Sequence, residues 1–160
     1  MVLSGLILFN SRLDVSTSHL IILFILLAVI SYSDFTCYII PDYLLMLLVI
    51  SWAVNAFAYR LDVIFVLRRM AACALVFILM LVIIVLLERA LGSLLMGGGD
   101  IKLIAVCTIY IGVNGMLYMM LLMSVMMLIY MLLFKRRKYY PFGPFISIAT
   151  LVIFMANTYI

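Results

Sequence analysis

Six acids make up the whole anionic inventory of this 160-residue chain: Asp14, Asp34, Asp42, Asp62, Glu88 and Asp100. Histidine occurs once, at His19, and Cys37, Cys73 and Cys107 are widely spaced with no C-x-x-C among them. That inventory leaves little material for histidine acid–base chemistry, a zinc site or a redox dithiol. No metal and no cofactor is expected, and carboxylate chemistry remains.

The acids are not equivalent. Asp14 and Asp62 fall near Arg12 and Arg60 and read as solvated loop charges, and Glu88 precedes Arg89 at the end of an apolar run, where an interfacial charge is ordinary. Asp42 directly follows Pro41; a carboxylate at the start of a helix is favoured by the helix dipole, which accounts for it without function. Asp34 closes one apolar run and opens another, so an end-of-helix charge is one reading of it. Asp100 follows Gly97, Gly98 and Gly99. Without side chains the backbone there can take positive φ or approach a partner closely, which would let an extended peptide lie beside the carboxylate. A plain flexible loop is the alternative. A phosphate cradle is disfavoured, because G-x-x-x-x-G-K-[ST] is absent and Lys102 follows the acid instead.

The elements that must carry these acids are apolar. Hydrophobic residues make up 71% of the chain and charged residues 10%, with a mean hydropathy of +1.45; a soluble domain carries about 25% charged residues. A chain this apolar needs lipid as its solvent. Helices then satisfy their own backbone hydrogen bonds across the bilayer. The expected fold is an all-α integral membrane protein, a single polytopic domain over residues 1–160 with about six transmembrane helices. The first span runs from about His19 to Ser33, extending back toward Val15. The second runs from Tyr43 to Tyr59, and the third from Met70 to Leu87 with Arg68 and Arg69 before it. The stretch Ile101–Phe134 would be about 50 Å long as one helix, too long for a single crossing. Gly112-Val113-Asn114-Gly115 is its natural break, giving a fourth and a fifth span. Pro144 to Ile160 is the sixth.

The net charge of +4 sits in short loop clusters and reads as topology signalling, not as a nucleic-acid patch. Placing Lys135-Arg136-Arg137-Lys138 in the cytoplasm puts six cations on that side and Arg12, Arg60, Arg68 and Arg69 on the other. The same alternation brings Asp34 and Asp100 to one face, with His19 near the opposite face as an interfacial residue. The opening MVLSGLILF lacks a basic region and an A-x-A site, so a cleaved signal peptide is not expected. Two carboxylates on one membrane face, one beside a glycine run, suit aspartic proteolysis, in which the pair shares one proton and activates a water.

Three motifs make the pattern more specific. D-F-T-C-Y-I-I-P-D (Asp34–Asp42) resembles the first motif of bacterial type IV prepilin peptidases. M-G-G-G-D-I-K-L (Met96–Leu103) is similar to their G-x-G-D signature, and P-F-G-P-F (Pro141–Phe145) to a third, late motif. The resemblance covers about Ser31 to Ser147. It implies a GxGD aspartic membrane peptidase in the bacterial inner membrane that cuts leader peptides from prepilins or pseudopilins at the cytoplasmic face. It assigns catalysis to Asp34 and Asp100 and substrate binding to Gly97, Gly99 and Lys102; Pro41 and Asp42 match flanking positions. Many members also carry an N-terminal extension with paired C-x-x-C motifs and methylate the new N-terminus. Too few residues precede the first span here, so a short, peptidase-only form is expected.

Two other classes use the same residues differently. An ion-coupled transporter would use Asp34 and Asp100 as ion ligands, but no internal repeat is evident and the acids lie at span ends, not mid-membrane. A non-catalytic membrane subunit would tolerate Asn at both positions.

Overall fold

The computed structural model describes residues 17–92, 96–134 and 140–159. Arg12, Asp14 and the Lys135–Lys138 cluster, on which part of the charge argument rests, lie outside them. Five helices follow in order: α1 (Thr17–Cys37), α2 (Asp42–Ala58), α3 (Val63–Leu91), α4 (Gly98–Leu133) and α5 (Gly143–Tyr159). No strand occurs among the described residues.

Each boundary near the acids has a local cause. The α1 helix leaves helical geometry at Tyr38, which takes φ +56°, in the left-handed region that commonly terminates helices. Pro41, at φ −68° and ψ 132°, precedes the first residue of α2. It has no N–H to lose at a helix start, and Asp42 takes the first position of the helix, where the dipole favours an acid. Gly92 ends α3 at φ +65°, its N–H bonded to the Glu88 carbonyl at 2.9 Å.

The long fourth helix is broken where the sequence marks a break. Gly112 sits at φ 75° and ψ 175° inside α4, a conformation essentially confined to glycine. The five helices therefore supply six helical segments. The arm before Gly112, residues 98–111, rises only about 21 Å. It is nevertheless the centre of the bundle: Ile101, Leu103, Ile104, Cys107, Ile109 and Tyr110 are all buried. This helix packs against α5, α3 and α2, while α1 packs against α5 and α2.

Outward faces are apolar instead of polar, with Phe24, Ile50, Ile64 and Leu128 all more than half exposed. Three helices, with spans His19–Cys37, Val63–Leu91 and Gly98–Leu133, are long and apolar enough to cross a membrane, and two shorter ones are apolar. The chain is an all-α membrane protein.

One expectation needs correction. The third helix begins at Val63, not at Met70, so Arg68 and Arg69 lie within it. Arg69 is buried, its guanidinium 5.0 Å from the Phe65 ring centroid. The arginine stem packs along apolar surface and the planar head sits over an aromatic face, so the cation does not mark a helix boundary. His19, near the start of α1, is also buried and stacks on Tyr110 with ring centroids 5.7 Å apart. It shares a small pocket with Trp52, Asn55, Arg69 and Phe154. This pocket is remote from Asp34, which lies fifteen helical steps beyond His19, about 22 Å along α1.

Candidate active site

Of the acids among the described residues, only Asp34 and Asp100 are buried, at 5% and 8% exposure. Asp42 and Asp62 are exposed, and Glu88 is intermediate. The two buried carboxyls come from different helices, Asp34 from the last turn of α1 and Asp100 from the first turn of α4. They are near enough for their charges to act on each other. Burying two acids together, when most buried charges have a cationic partner, is costly enough to need a reason.

Around Asp100 the glycines do what the residue type permits, in a way the sequence did not specify. Gly97 precedes the first residue of α4 with φ −69° and ψ 142°, and the helix has already begun at Gly98. None of the three glycines takes positive φ, so the expected special conformation is absent. Close approach is present instead. A Cβ on Gly97 would lie 3.2 Å from Asp100 Oδ2, so the carboxylate folds back over the helix start. The Gly97 backbone hydrogen-bonds that carboxylate, as the third helical residue does in the return half of a capping box. A Cβ on Gly99 would lie 3.1 Å from the Ile40 Cβ, whereas Gly98 faces open space. The partner that crowds Gly99 is therefore this chain's own first motif.

Asp34 is held from the other side. Its Oδ2 accepts a buried hydrogen bond from the Gly143 N–H at 2.7 Å. Gly143 is the first residue of α5, one of the helix-start amides with no partner inside its own helix. The neighbouring Pro144 has no N–H, and the Phe145 N–H is bonded to the Phe142 carbonyl at 3.1 Å. The positive end of α5 is thus aimed at Asp34 through one amide. A Cβ on Gly143 would come within 2.9 Å of Asp34 Cβ and Oδ2, so only glycine permits this contact. The sequence signalled the third motif, Pro141–Phe145, but not this use of it.

The remaining residue singled out by the signature, Lys102, does not point at a free groove. Its Nζ lies 2.7 Å from Asp42 Oδ1, joining the first turn of α4 to the start of α2. The joint between α1 and α2 is also fastened behind Asp34, where Ser33 Oγ donates to the Ile39 carbonyl at 2.9 Å. All three motifs thus meet at one end of the bundle. No group of three or more metal-ligating side chains gathers among the described residues.

Comparison with known proteins returns one informative result. No curated protein and no solved structure matches the chain. A family model does match, over residues 21–132, a segment that holds Asp34, Asp42, the glycine run, Asp100 and Lys102 and stops before the third motif. The match spans well over half of the 160 residues, and the chain belongs to the type IV leader peptidase family.

Proposed function

We propose that the chain is an aspartic endopeptidase that removes the leader peptide from type IV prepilins or pseudopilins. On this reading it works as a single multi-pass domain in the bacterial inner membrane and cuts at the cytoplasmic face. The observation that carries the reading is the burial of Asp34 and Asp100 together, within electrostatic reach of each other and with no third acid buried beside them among the described residues.

Two carboxyls in one desolvated site do not both ionise readily, so they hold one proton between them. The ionised member accepts a proton from a water, and the water oxygen attacks the scissile carbonyl carbon. The protonated member donates to the carbonyl oxygen, which becomes the hydroxyl of a tetrahedral diol. Collapse of the diol breaks the C–N bond. The leaving nitrogen takes the proton gained from water, and a diol hydroxyl returns its proton to the other carboxylate, so the pair ends with the single proton it began with. Gly143 N–H and the Gly97 backbone hold the two carboxylates in place through this exchange.

Substrate must reach the pair from the membrane edge. Asp34 lies one turn before the end of α1 and Asp100 in the first turn of α4, and Ile40, just beyond α1, lies against Gly99 at the start of α4. A leader peptide emerging from the bilayer would meet the pair there without crossing the apolar core. The test is co-expression with a candidate prepilin in membranes lacking other leader peptidases. The wild-type chain should convert precursor to mature pilin and Asp34→Asn should leave it uncut; precursor left intact by the wild-type chain across a panel of prepilins and pseudopilins would refute the reading.

A further inference from the structure

The ion pair between Lys102 and Asp42 is short, at 2.7 Å, yet its side chains are 45% and 69% exposed. Exposed pairs contribute little to stability, so its significance lies in what it connects. Asp42 stands two residues after Ile40, and Lys102 two residues after Asp100. Between them, Ile40 rests where a Gly99 side chain would be. The Ile39 carbonyl, one residue earlier, is tied to Ser33, the residue before Asp34. A continuous set of contacts therefore runs from one carboxylate to the other: Asp34, Ser33, Ile39, Ile40, Gly99, Asp100.

We propose that the Asp42–Lys102 pair is the clamp on this circuit: it holds the α1–α2 joint against the glycine turn and so sets the separation of the two carboxylates. Lys102 is then a positioning residue and not a substrate contact. The inference rests on the peptidase reading above. The physical need for a clamp is directional. Contact between Ile40 and Gly99 is apolar and can slide along the first turn of α4. A charge-assisted hydrogen bond of this length fixes register as well as distance. Placing it at the exposed edge avoids the desolvation cost that a buried pair would carry.

Reversal of the charges separates the alternatives. Asp42→Lys and Lys102→Asp should each lower kcat for prepilin cleavage about tenfold, within the range of couplings between contacting residues, with KM little changed. The double reversal should recover to within about threefold of wild type, because the attraction is restored with its polarity inverted. Asp42→Glu and Lys102→Arg should each retain activity. A double reversal as poor as the worse single variant, or a loss seen mainly as raised KM for Lys102→Asp alone, would overturn the clamp and return Lys102 to substrate binding.

A second readout does not depend on cleavage. With the three native cysteines replaced by alanine, an Ile40→Cys reporter should label slowly with a maleimide, severalfold faster in each single reversal, and slowly again in the double. Equal labelling in all four backgrounds would sink the clamp. Wild-type cleavage that Asp34→Asn abolishes, without rescue or labelling differences, removes the clamp alone. The labelling pattern without any cleavage by the wild-type chain removes the peptidase reading and leaves the clamp standing.

Discussion

The Gly143 amide donates to Asp34 Oδ2 across 2.7 Å, joining residues 109 positions apart in the chain. Gly143→Ala would put a methyl group within 2.9 Å of the Asp34 side chain. Either the helix or the carboxylate must then shift, and displacements of about 1 Å at a reacting group cost on the order of 100-fold in rate. Leader cleavage by this variant should fall by that order at matched membrane level. Near-normal processing would mean that the contact does not hold a reacting group.

Asp34→Asn and Asp100→Asn should each reduce cleavage by about 1,000-fold or more, as removal of one member of a catalytic unit does. Asp42→Asn removes only one partner of an exposed pair and should stay within about fivefold of wild type. The wild-type pH profile should be bell-shaped and report the pair, not either acid alone. Quantified processed-to-unprocessed prepilin ratios check all three variants. A dead Asp42→Asn beside an active Asp34→Asn would move the catalytic assignment.

The glycine run offers an internal control. Gly98→Ala meets open space and should retain most activity, whereas Gly99→Ala pushes a methyl against Ile40, 3.1 Å away. The second variant should lose most cleavage while still accumulating in the membrane. Identical behaviour of the two would reduce the run to a linker.

Gly112→Ala addresses stability instead of chemistry. Its φ of 75° and ψ of 175° would cost a side-chain-bearing residue about 1–3 kcal/mol. The melting temperature of the detergent-solubilised protein should fall by several degrees. An unchanged melting temperature would show that the break relaxes without strain.

Topology is open to direct labelling. Cysteines placed at Thr36, Gly92 and Arg137 should react with an impermeant reagent from one and the same side, the cytoplasmic one. Thr36 and Gly92 reacting from opposite sides would dismantle the six-span arrangement.

Much of this architecture was legible because it depends on length and composition. A run from Ile101 to Phe134 cannot cross a bilayer once, and Gly112 is where it breaks. The two aspartates stood out because apolar chains place acids sparingly. Other features are not written in local spacing. Arg68 and Arg69 looked like a boundary because a cation in lipid is costly, yet the fold supplies Arg69 with an aromatic neighbour. Gly99 signalled a close approach but not its partner, because Ile40 reaches it only once α1, α2 and α4 have packed. The Asp34–Gly143 bond, made between the first and last described helices, was the least accessible of all.

That last bond also orders events in time. At about 5–20 residues per second, 109 residues take roughly 5 to 20 s to synthesise. Through that interval Asp34 has been made and its donor has not. The ribosome would therefore deliver the acid first and its anchoring amide last, and a nascent chain arrested before α5 would carry both aspartates without the contact that fixes one of them. Competence to cut peptides would arrive with α5, so translation products arrested before it and left in the membrane would be poor proteases.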